Sequence, residues 1–260
     1  MHLLVVDIGN TNTVIGVYDR ERLLRSFRIR TEREATEDEF HVLVSSLFQA
    51  AGMDLDKVGA TIVSCVVPPM RDLVQVFCEK YMGHAPVWVS AHTDAGMPIL
   101  YSNPAEVGAD RIVNGVAAYA KYGCALIVID FGTATTFDCI STAGEYLGGA
   151  ISPGIGIAAE ALYARASKLP RVELSTPPRT SIGKTTAESM QAGIIMGYGA
   201  LVDGMVARIR REMADHVRVI ATGGLARLME RMCDSIEAVE PDLTLEGLRI
   251  IHERVSKGAG

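Results

Sequence analysis

Two stretches of the sequence combine an acid, a glycine and threonines in an arrangement suited to binding phosphate. They are "VVDIGNTNTV" at residues 5–14 and "VIDFGTATTF" at residues 128–137, which align without gaps and share the pattern D-x-G-x-x-x-T. In such a turn, glycine lets the backbone approach a ligand, successive N–H groups form a concave nest for an anion, and Asn and Thr side chains add neutral donors. The pattern therefore predicts two phosphate-binding turns. The alternative is a pair of hairpins in which the acid hydrogen-bonds only its own turn.

The acid of each turn points to a cation. Asp7 would repel a bare phosphate, so its natural role is to hold Mg²⁺ beside the phosphates, directly or through water. Asp130 ends an apolar run, where a buried carboxylate needs a partner. A bound cation is one such partner, and the donors of a hydrogen-bonded turn are the alternative.

A third stretch, "GADR" at residues 108–111, offers the groups of a reaction centre. Asp110 and Arg111 are adjacent opposite charges at the predicted start of a helix, and Gly108 and Ala109 before them are small enough to let a substrate approach. An aspartate there can accept the proton of an attacking hydroxyl. Arginine offers a planar donor fork for a carboxylate or a phosphate. Taken alone, the pair is also typical of an exposed, weak ion pair on a helix surface.

The elements that must position these residues alternate in an α/β manner. Apolar periodicity, caps and turn residues predict strands and helices along the whole chain. The predicted strands are residues 3–6, 14–18, 23–30, 60–67, 87–89, 124–130, 135–140, 146–151 and 217–222. The first predicted helix runs from a capping box at 36–39 to Gly52. Further helices are predicted over 105–122, 156–167, 185–214 and 243–255, and two more are predicted to begin at residue 68 and after residue 224. Together with the internal echo, this order predicts two related lobes with a boundary near residue 105.

Composition argues against several classes of function. The net charge is −6 with no basic block, which disfavours a nucleic-acid partner. The five cysteines form no CxxC pair and the six histidines show no HxxxH or HExxH spacing, which favours reduced thiols and disfavours a zinc site. The first apolar run has no basic segment before it and is interrupted by Asp7, and no stretch approaches the roughly 18 apolar residues of a membrane span. The composition predicts a cytoplasmic protein with no membrane partner.

A nucleotide-binding P-loop is disfavoured despite "SIGKTT" at residues 181–186. The pattern G-x-x-x-x-G-K-[ST] requires a glycine where Pro178 stands, and "RVELSTPPRTS" before it lacks a clear buried strand.

The motifs together resemble the actin-like ATPase superfamily. "DIGNTN", the echoed "DFGTATT" and a glycine pair after a strand, Gly223-Gly224, are similar to its phosphate and adenosine motifs. Within that superfamily, four further motifs resemble the type III pantothenate kinases: "EVGADR" (106–111), "SPGI" (152–155), "SIGKTT" (181–186) and "DLTLEGL" (242–248). The likeness covers residues 5–248. It implies two duplicated ribonuclease H-like lobes, residues 1–105 and 106–260, with ATP in a central cleft.

The resemblance also implies roles for the matching residues. Asp110 would be the catalytic base, Asp130 would hold a monovalent cation (K⁺ or NH₄⁺), and Asp7 would be associated with Mg²⁺. The residues that match the pantothenate pocket are Tyr101, Gly108, Ala109, Asp110, Arg111 and Thr185. The residues that match the ATP site are Asp7, Ile8, Gly9, Asn10, Thr11, Asn12, Thr13, Val14, Thr133, Gly223 and Gly224. Tyr101 could instead pack beside Pro104, and Thr185 could also be a helix N-cap, which is compatible with binding.

The activity that the resemblance implies is ATP-dependent phosphorylation of pantothenate to 4'-phosphopantothenate, the first step of coenzyme A biosynthesis. The family is dimeric, and the apolar helix over residues 192–209 is a candidate contact, although core packing explains its pattern equally well. A nucleotide-binding regulatory protein of the same fold without turnover is one rival. A chaperone-like or polymerising ATPase is another, which the length of 260 residues disfavours.

Overall fold

The described chain contains two mixed five-stranded sheets. The structure, a computed structural model, describes residues 1–213 and 216–258. The strands of the first sheet are β1 (His2–Ile8), β2 (Asn12–Asp19), β3 (Arg22–Arg30), β4 (Val58–Cys65) and β5 (Val87–Trp88). The strands of the second sheet are β6 (Leu126–Phe131), β7 (Ala134–Ile140), β8 (Tyr146–Pro153), β9 (Arg218–Thr222) and β10 (Ala238–Val239).

The two sheets share one topology. Their strand orders are β3-β2-β1-β4-β5 and β8-β7-β6-β9-β10. In each sheet the first three strands form an antiparallel meander, and the fourth and fifth lie parallel beside the first. The duplication that a ten-residue echo predicts therefore extends over all five strands of each sheet.

The described residues form eight α-helices. They are α1 (Glu37–Ala50), α2 (Pro68–Phe77), α3 (Ala109–Tyr122), α4 (Ile155–Arg165), α5 (Thr186–Gln191), α6 (Gly197–Met213), α7 (Ala226–Met229) and α8 (Leu243–Gly258). The capping box predicted before α1 is present, with Thr36 and Glu39 bonded reciprocally. The predicted helix at residue 105 begins at Ala109 instead, because Pro104–Glu106 forms a separate 3₁₀ turn. The predicted end of the 185–214 helix, Ala214, lies outside the described residues.

By its internal contacts the chain divides into two compact units. One is Met1–Ala120 together with the helix that begins at Leu243, and the other is Lys121–Asp242. The sequence places the boundary between residues 105 and 106 and assigns the last helix to the second lobe. The difference arises because α8 packs against β1, β2 and β4. It also approaches α3 closely, since a Cβ at Gly247 would overlap the carbonyl oxygen of Val113.

Each unit has its own apolar core. In the first unit, residues of β1, β2 and β4 pack against α1 and α2. In the second unit, residues of β6, β7 and β9 pack against α6 and the helical turns before it. The carboxyl ends of β1 and β6 emerge from these cores, and their aspartates, Asp7 and Asp130, are half-buried.

One helical run tests the expectation that no segment could span a membrane. The run Thr186–Met213 is long and apolar enough to do so by length and composition alone, with a mean hydropathy of 1.3 in its 18-residue window. Met190, Ile194, Val202 and Val206 of this run are buried in the second core, and 39% of the window is buried within the protein. One such helix is weak evidence for a membrane span, because core helices of globular proteins pass the same test.

Candidate active site

The first turn projects its polar residues from the end of β1. The amide N–H of Gly9 donates to the carbonyl oxygen of Asn12 at 3.0 Å, which closes the turn between β1 and β2. Asn10 and Thr11 at its tip are exposed, whereas the side chains of Ile8 and Thr13 on either side are fully buried. The turn is therefore anchored at both ends and open at its tip, as a phosphate-binding nest requires.

Asp7 lies at the carboxyl edge of the first sheet. It pairs with Ser64 of β4, and the neighbouring pair is Ile8 with Cys65. Burial raises the pKa of the Cys65 thiol; the Val67 N–H and the charge of Arg71 oppose this rise, and the charge of Asp7 adds to it. The carboxylate of Asp7 thus acts electrostatically on the end of the adjacent strand.

The aspartate of the "GADR" motif occupies the first turn of α3. One oxygen of Asp110, Oδ1, accepts the amide N–H of Arg111 at 2.9 Å. Burial raises the pKa of Asp110 above its ordinary value of 3.8, and the N–H and the charge of Arg111 oppose this rise only in part. Asp110 is half-buried and Arg111 is 7% exposed. The alternative of an exposed ion pair on a helix surface is therefore wrong.

Gly108 has a function beyond leaving room for a substrate. A Cβ at this position would lie 2.5 Å from Asp110 Oδ1. Its carbonyl oxygen accepts the N–H of Arg111 at 3.1 Å and that of Ile112 at 3.3 Å, so Gly108 also begins the helix. The glycine therefore permits the orientation that the Asp110 carboxylate adopts.

Val66 joins the first turn to the "GADR" motif within the first unit. Its amide N–H donates to the carbonyl oxygen of Ile8 at 3.1 Å. Its Cγ1 lies 3.8 Å from the Cβ position of Gly108. The structure thus brings together two of the predicted site segments, the turn after Asp7 and the start of α3, at one edge of one sheet.

The second turn is one residue shorter than the first. The N–H of Gly132 donates to Ala134 at 3.0 Å, so this turn closes over three residues, while the first closes over four. In the sheets, Ile8 pairs with Thr13 and Phe131 pairs with Thr135. The gapless alignment of Thr13 with Thr136 is therefore wrong, and Thr135 is the structural counterpart of Thr13.

The glycine pair after β9 lies against Asp130. Gly223 has φ +93°, and a Cβ there would overlap Asp130 Oδ1 and lie 2.7 Å from both N and O of Phe131. Gly224 has open space around its Cβ position. Asp130 itself pairs with Thr222. The structure thus brings Asp130, the second turn and the predicted adenosine glycines together within the second unit.

Gly154, from the "SPGI" motif, packs on the second turn. Its N–H donates to the carbonyl oxygen of Thr133 at 3.1 Å, and a Cβ there would overlap that oxygen. Gly154 is also the N-cap of α4. Only a glycine fits between the turn and the helix, which explains the motif physically.

Two predicted pantothenate-binding residues, Tyr101 and Thr185, lie outside the turns and the start of α3. Tyr101 is half-buried in the loop before the Pro104–Glu106 turn of the first unit. Thr185, in the second unit, is the N-cap of α5, where its Oγ1 accepts the N–H of Glu188 at 3.2 Å. The N-cap prediction for Thr185 is confirmed, and its side chain is exposed.

Sequence reasoning missed several residues that shape these turns. Thr31 and Arg33 follow β3, and Arg33 donates to Asn10 Oδ1 at 2.9 Å. Val66 and Gly154 contact the turns through backbone groups. Thr31, Arg33 and Val66 have no local sequence signal, because they reach the turn only when the strands before them pair with their neighbours in the sheet. Gly154 stood in a recognised motif and could have been found there.

Two duplicated α/β units, each presenting an acid-and-glycine turn, are the arrangement of the actin-like ATPase fold. Solved structures with this fold match the chain: the activator of 2-hydroxyisocaproyl-CoA dehydratase from Clostridium difficile, with bound ADPNP, has a TM-score of 0.57 at 14% identity and covers 100% of this chain and 97% of its own. A ROK hexokinase from Thermus thermophilus has a TM-score of 0.51 at 14% identity and covers 99% and 100%. Within this class, the family model for type III pantothenate kinase matches residues 3–208. The chain belongs to the type III pantothenate kinase family.

Curated relatives agree over the full length of the chain. A type III pantothenate kinase from Desulfatibacillum aliphaticivorans is 68% identical over 254 residues, which cover 98% of this chain and 99% of the relative. Another from Desulforapulum autotrophicum is 55% identical over 253 residues and covers 97% of each.

Proposed function

We propose that this protein transfers the γ-phosphoryl group of ATP to the terminal hydroxyl of pantothenate, giving 4'-phosphopantothenate in the first step of coenzyme A biosynthesis. Family membership supports the reaction, and one structural observation supports its chemistry. That observation is the carboxylate of Asp110, held in the first turn of α3 beside the buried Arg111 and joined through Val66 to the first turn. The regulatory rival is not favoured, because the matched relatives are named kinases.

Asp110 acts in this proposal as the general base that accepts the proton of the pantothenate hydroxyl. Its raised pKa supports the role, because a base titrating closer to neutrality accepts a proton more readily. Phosphoryl transfer depends mainly on positioning and on charge stabilisation, so a single oriented carboxylate is sufficient.

Pantothenate carries a carboxylate, for which a guanidinium is a suitable partner. We assign that contact to Arg111, whose planar fork can bind a carboxylate through two hydrogen bonds. Gly108 and Ala109 would lie beside the substrate. We also keep Tyr101, of the first unit, and Thr185, of the second unit, as proposed pantothenate contacts.

The first turn would bind the phosphates of ATP. The N–H of Gly9 is already bonded to Asn12, so we assign the contact with the anion to the exposed tip, Asn10 and Thr11, and to the amide of Asn12. Ile8, Thr13 and Val14 would support the turn rather than touch the nucleotide, since the first two side chains are fully buried. We propose that Thr133, in the second turn, contacts a phosphate of ATP, and that Gly223 and Gly224 contact its adenosine.

The residues present fit a Mg²⁺ ion that is shared with the nucleotide. The described residues contain no group of three or more His, Cys, Asp or Glu side chains that could hold a metal by themselves. Mg²⁺ in kinases is bound by one or two carboxylates together with substrate phosphates, and Asp7 beside the first turn supplies such a carboxylate. The ion would neutralise charge on the phosphates.

A monovalent cation, K⁺ or NH₄⁺, is proposed at Asp130. The carboxylate is half-buried at the end of β6, in contact with the Gly223 backbone. Partial burial of a carboxylate favours a cationic partner. The ion would fix the end of β6 and the second turn.

The reaction and the cation can be tested together. We expect ADP release from ATP and Mg²⁺ to require pantothenate, and to increase strongly when K⁺ or NH₄⁺ replaces Na⁺. Asp130→Asn should remove this stimulation, because an amide attracts a cation less than a carboxylate. The measurement is a coupled ADP assay, with 4'-phosphopantothenate identified by mass spectrometry. No pantothenate-dependent turnover would contradict the kinase, whereas turnover indifferent to the cation would contradict only the role of Asp130.

A homodimer is also proposed, with α4, α5 and α6 of the second unit at the contact. A cavity of about 640 Å³ opens there, and its apolar lining includes Leu162, Leu169, Met190, Ile194 and Leu201. Leu162 beside the cavity is 40% exposed, so part of the apolar surface at this cavity faces solvent. A second copy would cover this surface. Light scattering should give twice the 27.9 kDa of one chain, and a mass of one chain would contradict the proposal. A cytoplasmic location stays a prediction from composition.

A further inference from the structure

The first turn is tied to the end of β3 by one residue, Thr31. Its amide N–H donates to the carbonyl oxygen of Thr11 at 3.0 Å, and its Oγ1 donates to the carbonyl oxygen of Gly9 at 2.7 Å. A third bond joins its Oγ1 to that of Thr13 at 2.9 Å. Because the hydroxyl proton of Thr31 is already given to Gly9, Thr13 is the donor in this pair. Thr31 is 7% exposed and Thr13 is fully buried, so water does not compete for these bonds.

These bonds fix the direction of the amide groups at the tip. In a planar trans peptide the C=O of one residue and the N–H of the next point in opposite directions. Holding the carbonyls of Gly9 and Thr11 toward Thr31 therefore turns the N–H groups of Asn10 and Asn12 away from it. Those two N–H groups belong to the nest that would receive phosphate.

We propose that Thr31 is a positioning residue for the nucleotide: its hydroxyl orients the amides of the first turn toward the phosphates of ATP without touching them. The inference rests on the proposed kinase function. Thr31 lies 22 positions from Gly9, outside every motif of the sequence, and it reaches the turn because β2 and β3 pair along their whole length.

The second turn lacks this arrangement. Gly154 occupies the place of Thr31, since it too follows the last strand of its meander and donates its N–H to the turn, at 3.1 Å from Thr133. It has no hydroxyl, and a Cβ there would lie 2.6 Å from the carbonyl oxygen of Gly132. Thr135, the counterpart of Thr13, is fully buried, and its Oγ1 has no hydrogen-bond partner among the described residues. The bonds that Thr31 makes through its hydroxyl therefore have no counterpart at Gly154.

The test removes the Thr31 hydroxyl and keeps the shape of the side chain. Thr31→Val has nearly the same volume, keeps the backbone bond to Thr11 and loses both side-chain bonds. We expect KM for ATP to rise about tenfold, which corresponds to ~1.4 kcal/mol, a cost within the range for an unpaired buried acceptor. KM for pantothenate should stay within twofold of wild type, and Thr31→Ser should restore KM for ATP.

A matched control removes a buried hydroxyl from the same sheet but away from the turn. Thr61 is 1% exposed, and its Oγ1 lies 2.9 Å from His84 Nε2. Thr61→Val should leave KM for ATP unchanged, whatever it does to the melting temperature. Should Thr31→Val not fold, Thr13→Val removes one of the same bonds and should raise KM for ATP about threefold.

Three results would overturn the role of Thr31. They are a KM for ATP within twofold of wild type in Thr31→Val, an equal rise in Thr61→Val, or an equal rise in KM for pantothenate. Calorimetric binding of a non-hydrolysable ATP analogue gives a readout independent of turnover. A wild type that binds the analogue but does not phosphorylate pantothenate would contradict the proposed function, and a weaker affinity in Thr31→Val would still support Thr31.

Discussion

Asp110→Asn is expected to lower kcat by about 10²-fold or more while KM for ATP changes little. A positioned general base contributes roughly 10²–10⁴-fold to such reactions, and an amide cannot accept the proton. The substitution preserves shape, because an asparagine oxygen can still accept the N–H that Arg111 donates to Oδ1 at 2.9 Å. A loss confined to kcat would identify an interaction made in the transition state. Steady-state kinetics with pantothenate and ATP varied in turn provide the measurement.

Glu106→Gln is the matched control for the loss of one negative charge. Glu106 is exposed in the 3₁₀ turn close to the motif and accepts a hydrogen bond from Asn103 Nδ2 at 2.9 Å. The Glu106→Gln enzyme should have the wild-type kcat, since the Glu106 carboxylate is not among the residues proposed to bind or activate the substrates. A folded Asp110→Asn enzyme with normal kcat would remove Asp110 from its role, and an equal loss in Glu106→Gln would reduce the effect to general electrostatics.

The pH dependence follows from the direction of the Asp110 pKa shift. The base must be ionised, so kcat/KM should fall as the pH drops through a value above 3.8, and Asp110→Asn should lack that limb. Stability changes in the opposite sense. A folded-state pKa above the unfolded value means that the folded protein binds more protons in that window, so stability decreases as the pH rises through it. At pH values above the folded-state pKa, Asp110 is ionised and the folded protein bears the full free-energy cost of its buried charge. Because asparagine carries no charge, Asp110→Asn should melt no lower than wild type at neutral pH.

The sequence predicted the features that depend on neighbouring residues in the chain, and it missed those that depend on contacts between distant segments. The turns after Asp7 and Asp130 were predictable, because glycine and the polar residues act within the turn itself. Their one-residue difference in length was not, since the pattern D-x-G-x-x-x-T matches both turns without a gap. Only strand register shows that Thr135, and not Thr136, takes the place of Thr13.

Features that depend on long-range packing escaped the sequence altogether. The last helix, α8, has an ordinary amphipathic pattern that would suit either unit. Its contacts with β1 and the close approach of Gly247 to α3 appear only in the folded chain. Thr31 is a polar residue after a strand, which local rules assign to a turn. Its contacts with Gly9 and Thr13 appear only when β2 and β3 are paired.

Gly223→Ala is expected to damage the second unit for two separate reasons, the backbone angle of the residue and its close neighbours. The residue has φ +93°, which costs an L-residue about 1–3 kcal/mol. The new Cβ would also overlap Asp130 Oδ1 and press on the backbone of Phe131 at 2.7 Å. Overpacking of this kind costs about 1–3 kcal/mol more. We expect the melting temperature to fall by about 5–10 °C, and activation by K⁺ or NH₄⁺ to require a higher concentration because the Asp130 carboxylate is displaced.

Gly224→Ala is the control, because it also replaces a glycine but introduces neither a strained backbone angle nor a close contact. Gly224 has no positive φ and nothing within 4 Å of its Cβ position, so Gly224→Ala should melt within about 2 °C of wild type. Differential scanning fluorimetry with and without the cation compares the two variants directly. If Gly223→Ala melted like wild type and kept its cation response, the close contact between Gly223 and Asp130 would not constrain the carboxylate. A lower melting temperature with an unchanged cation response would instead assign Gly223 to folding alone and move the cation away from Asp130.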